Sequence, residues 1–313
     1  MPPTPLRAPA RRQFLALALG AALVPAALRA QPGRMGHLVV IGGAEDRVQE
    51  KHILKRYVEL AGTAPRIVVL AAASEDPQSV WRIYEPAFRE LGVVQCELLP
   101  LFSRDDALNP DVAEQILQAD GLFLSGGDQS RLMDCLWNTP AARAIHQAFH
   151  LYGCCIGGTS AGAAALSRHM LAWGTATKVP EKGAIVMDLG LGLMPNVIID
   201  QHFAERHRFS RLLSAVARRP DLLGLGVDED TALVIRRGQA VEVLGSGAVT
   251  VVDGRRMTSD YDALDDRESI EITGLELHVL PAGRRYGLQA DPQGRSRFVE
   301  TLQRLAEPGP LPQ

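Results

Sequence analysis

The chain has 313 residues, of which 46% are hydrophobic and 22% charged, with a formal net charge of −3. That length and apolar content suffice for a large buried core in one or two domains. The mildly acidic balance argues against a nucleic-acid binder, and no internal apolar run is long enough to span a membrane.

The first thirty residues read as a removable segment. Arg7, Arg11 and Arg12 precede a mostly apolar stretch from Phe14 to Leu28, followed by Arg29-Ala30-Gln31. This is a secretory signal layout of twin-arginine type, with cleavage expected after Ala30 or Ala26. It places the mature protein in the periplasm or outside the cell.

From Gly36 the chain alternates strand-like and helix-like segments. His37–Ile41 is a short apolar run ending at Gly42-Gly43, and Val48 to Ala61 has helical spacing of apolar residues. Ile67–Ala71 reads as a buried strand, Val80 to Leu91 as an amphipathic helix, and Val93–Leu98 as a third strand. Asn109-Pro110 and Thr139-Pro140 each pair an N-cap with proline at the first helical position. Between them Gly121–Leu124 is a strand ending at Ser125-Gly126-Gly127-Asp128. Alternating β and α units imply an α/β fold, a mostly parallel sheet flanked by helices, with ligands at the carboxyl ends of the strands. Three such ends carry glycine pairs: Gly42-Gly43, Gly126-Gly127 and Gly157-Gly158.

The third pair opens the most informative motif. Gly158-Thr159-Ser160-Ala161-Gly162 follows the apolar run Cys154–Ile156 and precedes a helix-forming stretch, which matches a nucleophile elbow. Small neighbours let a strained turn form and let the helix approach the strand. The backbone N–H of Ala161, at the helix start, points where an oxyanion would form.

A serine needs a base. His202, at the end of the apolar strand Val197–Ile199 in Asp200-Gln201-His202, is the best placed of eight histidines. Asp228-Glu229-Asp230 follows the strand Gly224–Val227 and offers three acids to orient the imidazole; spacing does not choose among them. Arg206, Arg208 and Arg211 follow His202 on a segment expected to be helical to Ala217. Arg208 and Arg211 share a face there, while Arg206 lies roughly 160° from Arg208. Guanidinium groups near a nucleophile suggest carboxylate recognition. Glu205 and His207 are expected to face elsewhere. No metal-ligand spacing, phosphate loop or dinucleotide fingerprint is present, so no cofactor is expected.

After residue 224 short strands at 223–227, 232–236, 241–244, 249–252 and 275–280 suggest an antiparallel extension of the same sheet. Ser296–Leu305 reads as a closing helix and residues 307–313 as a disordered tail, giving one domain over 31–306. Cys96, Cys135, Cys154 and Cys155 read as small buried hydrophobes.

Five blocks in this order resemble the cyanophycinases, serine exopeptidases in a wider group that includes aspartyl dipeptidase. They are Ile41 to Asp46, Ser125 to Gln129, Gly157 to Ala163, Asp200 to Phe203 with the three arginines, and Val227 to Ala232. The resemblance implies a sandwich like that of class I glutamine amidotransferases, often dimeric. It implies Ser160 as nucleophile, His202 as base and Glu229 as orienting acid, with Gly127 joining Ala161 in the oxyanion hole. Gln129, Asp200, Gln201, Arg206, Arg208 and Arg211 match substrate-pocket positions. The implied substrate is cyanophycin, a polyaspartate carrying arginine on each β-carboxylate, cut to β-Asp-Arg. Aspartyl dipeptidases place Asp in the triad and are shorter, so Glu229 and the chain length favour cyanophycinase.

Overall fold

The computed structural model describes residues 36–236, 238–289 and 296–311. Residues 1–30, expected to be a signal segment, and the end of the tail lie outside them.

The parallel half alternates strands and helices: β1 (His37–Ile41), α1 (His52–Ala61), β2 (Arg66–Leu70), α2 (Pro77–Glu90), β3 (Gln95–Leu98), α3 (Arg104–Leu108), α4 (Pro110–Leu117), β4 (Gly121–Leu124), α5 (Gln129–Leu136), α6 (Pro140–His150), β5 (Cys155–Thr159) and α7 (Ala161–Ala164). A two-stranded ribbon follows, β6 (His169–Gly174) and β7 (Ile185–Leu189), then β8 (Val197–Gln201), α8 (Phe209–Arg218) and β9 (Leu223–Val227). The C-terminal part adds β10 (Thr231–Arg236), β11 (Ala240–Gly245), β12 (Ala248–Asp253), β13 (Thr258–Ser259), β14 (Ile272–Thr273), β15 (Glu276–Pro281), β16 (Arg284–Gly287) and α9 (Arg297–Ala306).

Among the described residues the central sheet has eight strands in the order β16-β11-β10-β1-β5-β4-β2-β3. From β1 to β3 the pairs are parallel, and β10, β11 and β16 continue the sheet antiparallel. Strands β1, β2, β4 and β5 are near-continuous runs of buried residues, as a sheet covered on both faces requires. One core cluster gathers Val40, Leu70, Leu124 and Ile156; a second gathers Ile41, Val69, Phe123 and the Tyr57, Tyr84 and Phe88 rings.

The antiparallel extension of this sheet is only half of the C-terminal architecture. Strands β8, β9, β12 and β15 form a separate four-stranded sheet. The reason lies in β9, Leu-Gly-Leu-Gly-Val. A methyl group on Gly226 would sit 2.5 Å from the Phe203 ring, and one on Gly224 2.8 Å from Val216 Cγ2. These glycines let α8 and the turn before it lie close on a parallel β8–β9 pair. The chain then leaves this sheet and enters the other through Asp228-Glu229-Asp230.

Several boundaries differ from the spacing. Helix α1 begins at His52 because Asp46 takes the backbone N–H groups of Val48, Gln49 and Lys51 and holds them in a loop. Its competition with the helix is of the Asx-turn kind. The tail expected to be disordered makes contacts at residues 307 and 309: Gly309 N–H donates to Leu193 O at 3.1 Å, and Asn196 Nδ2 donates to Glu307 Oε2 at 2.8 Å. The four cysteines are buried thiols.

Candidate active site

The strand end of β5 and the start of α7 make a tight elbow. Ser160 has φ 52° and ψ −115°, a conformation costly for any residue with a Cβ and held only where the surroundings over-determine it. A methyl group on Gly158 would sit 2.5 Å from Gly162 O, and one on Gly162 2.3 Å from Leu124 O. Both glycines therefore allow strand and helix to touch. Across the elbow, Gly126 is so close that a methyl group on it would meet Ser160 Oγ at 3.6 Å. The adjacent Gly127 has φ +142°, open to glycine alone.

Ser160 Oγ lies 2.9 Å from His202 Nε2, and His202 Nδ1 lies 2.5 Å from Glu229 Oε1. The other two acids of the triplet are engaged elsewhere. Asp228 accepts from the Ala204 and Ala248 backbone N–H groups, and Asp230 accepts from Asp46 N–H at 3.0 Å. Glu205, expected to face away, instead accepts the Glu229 N–H at 3.0 Å. No periodicity marked it, because it sits in an irregular turn.

One strand tip holds all three loops. Ser160 N–H donates to Ile41 O at 3.1 Å, His202 N–H to Gly42 O at 2.8 Å, and Asp230 N–H to Gly43 O at 2.9 Å. Gly43 is at φ +102°, and a methyl group there would be 2.3 Å from His202 Cε1. The glycine pair that closes β1 thus forms the floor under the imidazole.

Burial lowers the His202 pKa. The Glu229 hydrogen bond pulls it back up, while the Arg206 and Arg208 charges lower it further. The net direction keeps the imidazole neutral near pH 7, the form that accepts a proton.

The basic cluster is divided by the structure. Helix α8 starts at Phe209, so Arg206 and Arg208 lie in the preceding turn and not on a helix face. The Asp200 carboxylate is fully buried and paired with Arg211, Nε to Oδ2 at 2.9 Å with a second bond from Nη2 to Oδ1. Arg211 Nη1 donates to Gly174 O at 2.9 Å. Asp200 and Arg211 therefore face each other inside the protein. Arg208 Nη1 donates to Gln201 O at 2.5 Å and Oε1 at 3.1 Å and stands 3.4 Å from Asp200 Oδ1. Burial pushes the Arg208 pKa down to about 10, which leaves it cationic at neutral pH. Arg206 is exposed. Gln129 Nε2 donates to the Leu171 and Ala172 carbonyls, both at 2.9 Å. The β6–β7 ribbon, which the sequence pattern did not reveal, is thus clasped between Gln129 and Arg211.

Among the described residues no group of three or more His, Cys, Asp or Glu is arranged to hold a metal ion. No described helix is long and apolar enough to cross a membrane.

The model of peptidase family S51 matches residues 38–243. A cyanophycinase from Geminocystis herdmanii (strain PCC 6308) is 38% identical over 251 residues, covering 80% of this chain and 92% of that one. A cyanophycinase from Trichormus variabilis (strain ATCC 29413 / PCC 7937) is 39% identical over 253 residues, covering 80% and 85%. The crystal structure of a peptidase from an acI-B1 Actinobacterium superposes with a TM-score of 0.60 at 26% identity, covering 81% of this chain and 97% of that one. The chain belongs to peptidase family S51 and is a serine-type peptidase whose relatives are cyanophycinases.

Proposed function

We propose that this protein is an exported cyanophycinase that cuts cyanophycin to β-Asp-Arg dipeptides through a Ser160–His202–Glu229 triad. The observation that carries the reading is the hydrogen-bonded line from Ser160 through His202 to Glu229 beside Arg206 and Arg208.

Ser160 Oγ attacks the scissile carbonyl carbon while its proton passes to His202 Nε2. Glu229 accepts the Nδ1–H, fixes the tautomer and stabilises the imidazolium. The oxyanion rests on the N–H groups of Ala161 and Gly127. His202 then protonates the leaving amine, the peptide bond breaks, and water attacks the resulting ester with His202 as base. Cyanophycin carries a free α-carboxylate on every arginine. Arg206 and the outward edge of Arg208 are the groups to bind it, with Asp200, Gln201 and Arg211 holding Arg208 in place and Gln129 fixing the ribbon alongside. The Arg7 to Gln31 segment supports export, and the resemblance supports a homodimer.

The test is a suspension of insoluble cyanophycin followed by turbidity, with products identified by mass spectrometry. Clearing with β-Asp-Arg as the main product is expected. No clearing, with cleavage of short aspartyl dipeptides instead, would overturn the cyanophycin assignment.

The pH dependence follows from His202. The neutral imidazole is the active form, and the native environment lowers its pKa below the ordinary value of 6.5. Activity is therefore lost as pH falls through the lowered value, and kcat/KM measured from pH 5 to 8 should show an acid limb centred below 6.5. A midpoint above that value would contradict the burial argument.

A further inference from the structure

Glu45 is 2% exposed, a carboxylate buried at the strand ends and absent from the triad. Its Oε2 accepts the Thr159 hydroxyl at 2.6 Å, and its Oε1 accepts the Tyr84 hydroxyl. Thr159 and Tyr84 are themselves 3% and 4% exposed. Burial first, and then the Glu45 charge, raises the Tyr84 pKa well above its usual value, so the phenol stays a donor. The Arg47 guanidinium lies 5.7 Å from the centre of the Tyr84 ring, and its charge acts on both Tyr84 and Glu45. A buried carboxylate is tolerated only when its lone pairs are satisfied, and two hydroxyls do that here.

The position of this network matters more than its stability. Thr159 is the residue before Ser160, and Glu45 lies four residues past Ile41, whose carbonyl takes the Ser160 N–H. The same loop thus grips the elbow twice, by backbone at residue 160 and by side chain at residue 159. Ser160 sits at positive φ, where it relaxes unless its surroundings prevent it.

We infer that Glu45 is a positioning residue for the nucleophile, acting through Thr159 to hold Ser160 Oγ in line with His202. The inference rests on the proposed role of Ser160. It predicts that the two hydroxyls on one carboxylate are not equivalent for chemistry, because only Thr159 adjoins the nucleophile.

The experiment measures the rate at which diisopropyl fluorophosphate labels Ser160, with phosphoryl transfer to Oγ and loss of fluoride, located by mass spectrometry. Melting temperatures are recorded alongside. Thr159→Val is expected to slow labelling by about tenfold or more, the scale of a small misplacement of a reacting atom. Thr159→Ser, which keeps the hydroxyl, should restore the rate, and Tyr84→Phe should melt earlier yet label within about twofold of wild type. Equal slowing by Thr159→Val and Tyr84→Phe, or none by Thr159→Val, overturns the inference. Should Thr159→Val not fold, Thr159→Ala decides: it removes the hydroxyl that Glu45 accepts without adding a second branch, so slower labelling than Thr159→Ser in a folded protein supports positioning and an unchanged rate overturns it. Wild type that is not labelled at Ser160 removes the nucleophile assignment, and this inference with it.

Discussion

Ser160→Ala is expected to lower kcat on cyanophycin by at least about 10³-fold, because removing a triad nucleophile leaves only the oxyanion donors and binding. The fold should survive. Alanine keeps the Cβ and so the backbone geometry at φ 52°, and the lost hydroxyl, on a half-buried residue, is bonded only to His202 among the described residues. A melting temperature close to wild type, with undiminished binding to the polymer in a pelleting assay, would isolate the loss to chemistry. Residual activity above a few per cent would sink the nucleophile assignment.

The opposite pattern is expected beneath the arginines. Asp200 is 1% exposed and neutralises Arg211 and, at longer range, Arg208. Asp200→Ala leaves two guanidinium groups facing each other without a counter-charge, and breaking a buried pair from one side costs about 3–5 kcal/mol. For a chain of this size that lowers the melting temperature by roughly 10 °C. Arg206→Ala, at an exposed position, should leave melting unchanged and raise KM for the polymer. Thermal melts and initial rates on the two variants check both halves. An Asp200→Ala protein as stable as wild type would show that the pair does not hold the pocket together.

These contrasting expectations mark what sequence can and cannot say here. The elbow was legible because its constraint is local: glycines two residues either side of Ser160 answer to sterics within one turn. His202 was legible as a strand-end histidine. The choice of Glu229 over Asp228 and Asp230 was not legible from spacing, since it depends on which backbone N–H groups the other two find at residues 46, 204 and 248. Arg211 read as one of three similar cations. Its inward turn is set by Asp200, eleven residues earlier on β8, and by the Gly174 carbonyl on β6. Apolar runs located β9 and β12 well, but periodicity reports burial, not membership of a sheet. The move from one sheet to the other at residues 228–230 is a tertiary event with no local signature.

The tip of β1 has one more implication. Three successive carbonyls, from Ile41, Gly42 and Gly43, anchor segments that are made long after them, the last being Asp230 beside Glu229. A chain still on the ribosome has the serine early and the imidazole later, but the carboxylate last of all. Strand β1 must also wait for β10, its antiparallel neighbour, before that edge of the tip is paired. Synthesis order therefore sets the timing of the site: the line from Ser160 through His202 to Glu229 cannot close until residue 230 has left the ribosome and reached this tip.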